Sequence, residues 1–137
     1  MSKELEEGDE LTLDFAKIAK IAETCKDAIP VAVQHADTKE VILVAYTNEL
    51  AMRKAFAERT LVLWSTSRNV LWEKGKSSGE SFDLLEARVN CEQNSLLYIV
   101  RPRRGAICHT RNSKGVPRNC YYRRIDFDNL RLTNLDP

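Results

Sequence analysis

Between residues 61 and 125 the chain never runs far without a turn signal. "LVLWS", "VLWEKG", "SFDLLEARVN", "SLLYIVR", "AICHT" and "CYYRRI" are short runs rich in branched and aromatic residues, the composition that suits a pleated, half-buried surface. Gly75, Gly79, Gly105 and "NSKGVP" punctuate them, and such residues mark turns. Runs this short predict a β-rich body with few helices. The first third supplies those helices. "LDFAKIAKIAETCKD" places Phe15, Ile18, Ala19 and Ala22 at helical spacing, with Asp14 as the expected N-cap and Pro30 as a stop. "PVAVQHADTKEVILVAYTN" predicts a hairpin around "ADTK", and "NELAMRKAFAERT" a second helix capped by Thr47 or Asn48, with Met52, Ala55 and Phe56 as its apolar stripe. The expected architecture is mainly β with one or two helices.

The length of 137 residues fits one domain, expected over 11–137 behind an acidic, poorly ordered lead at 1–10. No repeat or linker interrupts it. A hydrophobic share of 43% and a charged share of 30% are ordinary globular values, which argues against disordered and fibrous classes. No apolar stretch approaches the ~20 residues of a membrane span. The first ten residues carry five acids and no apolar segment, unlike a secretory signal, so a cytoplasmic location is expected. Thiols stay reduced there, which favours metal binding or burial over disulfides. The net charge of +1 hides an asymmetry. Residues 101–124 hold eight Lys or Arg and no Asp or Glu. Such a segment suits phosphate, with a solvated face as the plain alternative. It lacks the interleaved aromatics of a nucleic-acid stacking platform, so no nucleic-acid partner is expected.

Three of the four cysteines, Cys91, Cys108 and Cys120, fall in this second half at spacings of 17 and 12. No C-x-x-C pair exists, so a zinc finger or ribbon is not indicated. Unconnected buried thiols would explain the spacing. A catalytic zinc, however, takes three protein ligands and keeps a fourth position for water. His109, next to Cys108, could close such a site as a fourth ligand. It could instead stand beside the water as a proton carrier, since neighbours on a strand point to opposite faces. Cys25 reads as a core thiol and His35 as a surface residue.

Two polar stretches accompany the thiols. In "NCEQN", Asn90, Glu92 and Asn94 would share one face of an extended segment and offer oxygens to a hard ion such as magnesium. A polar strand edge is the alternative. "WSTSRNVLWEKGKSSG" combines five hydroxyls, Arg68, Lys74, Lys76 and two glycines. It is not a P-loop, but its turn amides and cations could hold phosphate. An exposed hairpin would read the same way.

The ordered succession "IPVAVQHADTKEVILVAYTNELAM", "LWSTSRNVLWEKGKSSG", "VNCEQNSLLYIV", "ICHT" and "CYYRRI" resembles the phosphoribosyl-AMP cyclohydrolases of histidine biosynthesis over residues 29–125. The resemblance implies a small β pseudobarrel capped by a helix, built as an intertwined homodimer. It implies zinc (Zn2+) held by Cys91, Cys108 and Cys120 contributed by both chains. It implies phosphate binding by Ser65, Ser67, Arg68, Lys74, Ser77 and Ser78. Arg101, Arg103 and Arg104 are helpers on charge grounds alone. The family's magnesium (Mg2+) motif, Asp-Cys-Asp-x-Asp, stands here as Asn90-Cys91-Glu92-Gln93-Asn94. Three carboxylates become one, which weakens the case for magnesium. "CHTRNSKGVPRNC" also holds an insertion that the family pattern lacks.

The implied reaction is hydrolysis of the N1–C6 bond of the adenine ring, a cyclic amidine. His109 is the first candidate for proton transfer, followed by Glu73 and Glu92. Two alternatives are a zinc-binding dimer without catalysis and a cyclohydrolase or deaminase for another purine nucleotide.

Overall fold

A computed structural model describes residues 3–74, 81–103 and 110–137. The described residues are mainly β, with three short helices among them where one or two were expected. These are α1 (Lys3–Glu7), α2 (Lys17–Thr24) and α3 (Glu49–Glu58). The strands are β1 (Ile29–His35), β2 (Val41–Thr47), β3 (Val62–Ser65), β4 (Val70–Glu73), β5 (Phe82–Val89), β6 (Leu96–Pro102), β7 (Arg123–Ile125) and β8 (Leu132–Asn134).

Four strands form one sheet in the order β2-β1-β6-β5, with β1 and β6 parallel at its centre. The expected hairpin is β1–β2. His35 Nδ1 accepts the amides of Asp37 at 3.1 Å and Thr38 at 3.4 Å, which closes its turn. The alternation works as a pleat requires: Val31 and Val33 are fully buried, while Ala32 and Gln34 are partly exposed. β3–β4 and β7–β8 are separate hairpins. Among the described residues the sheets are open.

α3 begins at Asn48, whose Oδ1 accepts the Ala51 amide at 2.9 Å. It ends at Arg59 in the left-handed region at φ 57°. Its buried residues are Ala51 and Ala55. Small side chains let it sit close to the sheet, and Phe56 lies half out, edge-on to the Tyr98 ring at 6.1 Å. The core joins Val31, Val33, Ile42, Phe82, Tyr98 and Val100 from the four-stranded sheet, Ala51 and Ala55 from α3, and Leu63 from the β3–β4 hairpin.

α2 corrects the expected stripe. Phe15, Ile18, Ala19 and Ala22 all face outward, Phe15 with 88% exposure, and the buried residues are Ile21 and Cys25. Asp14, two residues before the cap position Ala16, accepts the Ala16 amide at 3.1 Å. The acidic lead, expected to be poorly ordered, carries α1, which packs near the C-terminus. β8 was not expected, and "CYYRRI" yields a strand only at Arg123–Ile125. "AICHT" lies largely outside the described residues. No helix among the described residues is long and apolar enough to cross a membrane.

Candidate active site

The β3–β4 turn, residues 66–69, is built around Asn69. Its backbone is left-handed at φ 55°, a conformation that Asn tolerates better than most residues. Its Oδ1 accepts from Trp64 Nε1 at 3.0 Å and from the Cys25 thiol at 3.3 Å. Cys25 also lies 3.7 Å from the Thr66 carbonyl oxygen. The end of α2 is thereby fastened to the turn. Within it, Ser65 Oγ lies 3.4 Å from Ser67 Oγ and accepts the Arg68 amide at 3.4 Å. Three hydroxyls, on Ser65, Thr66 and Ser67, and the guanidinium of Arg68 lie on four consecutive residues.

This turn borders a groove of about 480 Å3 walled by Val44, Ala45 and Tyr46 of β2 and by Trp64, Leu71 and Trp72. A space of this size with aromatic walls and polar groups at one end suits a nucleotide. Of the expected phosphate residues, the structure brings together Ser65, Ser67 and Arg68. Lys74 is directed elsewhere, its Nζ 5.6 Å above the Phe82 ring. Ser77 and Ser78 lie outside the described residues.

Glu73, an expected catalytic acid, does not line the groove. Its carboxylate stands 3.5 Å from Lys54 Nζ, and Lys54 also meets Glu58 at 2.9 Å. Both glutamates hold the Lys54 ammonium above the usual lysine range, Glu58 most strongly. The arginines assigned on charge alone are also engaged. Arg101 grips both carboxylate oxygens of Asp37, at 2.9 and 2.7 Å, and Arg103 meets Asp83 at 2.5 Å. These arginines share in-chain pairs on the surface. Arg104 lies outside the described residues.

Cys91 and Cys120 are both exposed and form no disulfide. Cys108 and His109 lie outside the described residues. Cys91 sits in the β5–β6 turn, just beyond the Val89–Leu96 pair. Cys120 sits beside β2, its amide donating to the Ile42 carbonyl at 2.9 Å. The register puts these positions at opposite ends of the sheet. Leu96 is level with Val31, whereas Ile42 falls between the partners of Val33 and Gln34. At ~3.3 Å per residue this separates them by roughly 10 Å along the strands alone. Two sulfurs on one zinc stand about 4 Å apart, given Zn–S bonds of about 2.3 Å. Thiols are apt zinc donors, yet Cys91 and Cys120 of one chain cannot share an ion. Among the described residues of a single chain, no three of His, Cys, Asp and Glu gather into a metal-sized group. Tyr121, beside Cys120, has its phenol pushed up by partial burial and by that thiol.

The "NCEQN" segment is a tight turn, not the expected extended strand. Gln93 adopts φ 56°. Asn90, Glu92 and Asn94 do come together, but through their own amide groups. Asn90 Nδ2 donates to Asn94 Oδ1 at 2.7 Å, and Asn94 Nδ2 donates to Glu92 Oε2 at 3.2 Å. Asn90 Oδ1 accepts the amides of Asn94 and Ser95 at 2.9 and 3.0 Å. Three of the four side-chain oxygens already accept a hydrogen bond and only one of the three side chains is anionic, so this turn does not fit magnesium.

Sequence reasoning missed Asn69, Cys25, Tyr46 and Trp72. The clue for Asn69 was an asparagine at the end of a four-residue turn, where a left-handed backbone is common. Cys25 offered none, because its partner is 44 residues away.

Comparison with known proteins bears on the same residues. The family model for phosphoribosyl-AMP cyclohydrolase matches residues 43–122. A phosphoribosyl-AMP cyclohydrolase of Archaeoglobus fulgidus is 40% identical over 106 residues, covering 77% of this chain and 93% of that protein. One of Sphingopyxis alaskensis is 41% identical over 96 residues, covering 70% and 71%. A histidine biosynthesis bifunctional protein of Aquifex aeolicus is 37% identical over 98 residues, covering 72% of this chain and 45% of its own length.

Proposed function

The chain belongs to the phosphoribosyl-AMP cyclohydrolase family, and on that premise we propose that it opens the adenine ring of phosphoribosyl-AMP at N1–C6, using zinc held by Cys91, Cys108 and Cys120 of two paired chains. The observation that carries the reading is the Ser65–Asn69 turn at one end of an aromatic-walled groove of nucleotide size. A substrate with a phosphate at each end needs one such anchor to fix its register. Ser65, Ser67 and Arg68 supply it by charge-assisted bonds. Tyr46, Trp64 and Trp72 offer faces against which a purine can lie.

The half of β2 that lines the groove lies at the same end of the sheet as Cys91. Tyr46 is level with Pro30, next to Val31 and its partner Leu96. A second chain would bring its Cys120 to that end. Bound zinc supplies a water whose pKa falls to about 7. The water oxygen ends on C6 as a carboxamide oxygen, and a proton reaches N1 as the N1–C6 bond breaks. His109 is the group assigned to carry that proton. Glu73, gripped by Lys54, is left with the task of fixing β4 against α3.

The test is ring opening of phosphoribosyl-AMP by purified protein, followed by absorbance alongside zinc analysis. Turnover should vanish with chelation and return with zinc. Zinc-loaded protein that gives no turnover would leave only the scaffold.

A further inference from the structure

We propose that α1, the insertion before Cys120 and the C-terminal tail form a single clasp keyed by Arg118, and that Arg118 is a positioning residue for Cys120. The importance of Cys120 rests on the zinc reading above, whereas its placement does not.

Arg118 is the buried charge that needs explaining. Its side chain is 3% exposed, a state a cation adopts only when its donors are met. Nη1 donates to both oxygens of Glu7, at 2.5 and 3.1 Å, and Nε donates to the Asp136 carbonyl at 2.8 Å. The guanidinium lies 4.4 Å from the Tyr122 ring centre. Tyr122 in turn donates its hydroxyl to the Glu6 carbonyl at 2.6 Å. The insertion reaches the same tail through Asn112 Nδ2, 2.9 Å from Asp136 Oδ1. One guanidinium thus joins segments 111 and 18 residues away from it. α1 and the tail both lie outside the region matched by the family model, 43–122. The acidic start and the basic stretch of the sequence therefore answer one another inside the molecule.

Cys120 lies midway between Arg118 and Tyr122, in a segment with no strand of its own. Its neighbour Asn119 donates to Glu40 at 3.1 Å and accepts the Tyr121 amide at 2.8 Å. With both flanks seated in the clasp, the Cys120 amide meets Ile42. An irregular segment held at two points keeps one direction for its thiol. Arginine suits the task better than lysine, because its planar fork can serve a carboxylate and a carbonyl together.

Hydrogen exchange of the Cys120 amide in the metal-free, full-length protein tests the positioning. Arg118→Met should speed that exchange at least tenfold and leave the amides of β3 unchanged. Arg118→Lys should recover part of the protection. Glu7→Gln, which keeps the arginine, should act in the same direction by a smaller factor, and it answers the question if Arg118→Met does not fold. Wild-type exchange at Cys120 in Arg118→Met, or in Glu7→Gln where only that variant folds, overturns the clasp. Competition with a chelator should show zinc held 10- to 100-fold more weakly in Arg118→Met, the range typical of outer-shell changes. Unchanged zinc affinity beside a loosened amide overturns the role toward Cys120. If wild-type protein holds no zinc, the metal reading falls while the exchange result still decides the clasp.

Discussion

The most demanding consequence of the sheet geometry concerns which chain supplies which thiol. Cys91 and Cys120 of one chain are separated by roughly 10 Å along the strands, as the register requires. A shared zinc needs them about 4 Å apart. If zinc binds, Cys91 of one chain must therefore meet Cys120 of another. Take two defective chains, Cys91→Ala and Cys120→Ala. Each alone makes dimers in which both sites lack a thiol, and each should hold little zinc. In a mixed dimer one site collects both defects and the other collects none. Random pairing of equal amounts gives half mixed dimers, each with one intact site of two. Zinc and turnover should then recover to about a quarter of the wild-type level, on the isologous symmetry of a two-fold dimer. The assay is co-refolding at equal concentrations, gel filtration, then metal analysis and ring-opening rate. Zinc staying at the background of the single variants would refute the crossing of ligands between chains. Full zinc in either variant alone would show that its cysteine is no ligand.

Three further outcomes follow from single contacts. Arg68→Ala should raise KM for phosphoribosyl-AMP by roughly 10- to 100-fold with a smaller change in kcat, because charge-assisted bonds contribute about 1.5–3 kcal/mol; steady-state kinetics decides. Asn69→Ala should lower stability by about 2 kcal/mol, one part for forcing Ala into a left-handed backbone and one for the lost Trp64 bond. Asn69→Gly should cost less, and urea unfolding that ranks them the other way contradicts the reading. Glu7 is held below the usual carboxylate range, first by its hydrogen bond from Arg118 and then by the charges of Arg118, Arg123 and Lys3. Its contribution is therefore present above the unfolded pKa of about 4.3 and lost as pH falls through the lower folded value. The urea midpoint of wild type should fall in that acid window more steeply than that of Glu7→Gln.

What the sequence made legible was governed by local chemistry. The β1–β2 hairpin and α3 were readable because turn residues, a β-branched alternation and an Asn cap all act within a few residues. Ser65, Ser67 and Arg68 were readable as a unit because one turn carries them all. The face of α2 was not readable, since helical spacing reveals a stripe but not the side of the protein it meets; Ile21 and Cys25 turn inward while Phe15 and Ile18 turn out. The fate of the arginines was equally hidden. Asp37 pairs with Arg101 across 64 positions and Glu7 with Arg118 across 111, and no window on the sequence spans such distances. A dense run of positive charge looked like a binding surface, yet several of its members answer carboxylates of the same chain.

The β5–β6 turn closes through side-chain amides where carboxylates would need an ion. A carboxylate offers only acceptors, so several in one turn repel unless a cation lies between them. An asparagine offers acceptors and donors together. The two asparagines use that difference, Asn90 Nδ2 donating to Asn94 Oδ1 and Asn94 Nδ2 to Glu92, where carboxylates would need an ion. Asn90→Asp with Asn94→Asp keeps the volume and removes the donors. The contacts now at 2.7 and 3.2 Å would then set like charges side by side, and the turn would depend on a dication to stay closed. The double variant should unfold at lower urea than wild type in the presence of a chelator and regain the difference in millimolar magnesium. Wild type should respond to neither. An equal rise in wild-type stability with magnesium would mean that the amide oxygens leave their present partners for the ion, and that the turn is not the self-contained lock its hydrogen bonds describe.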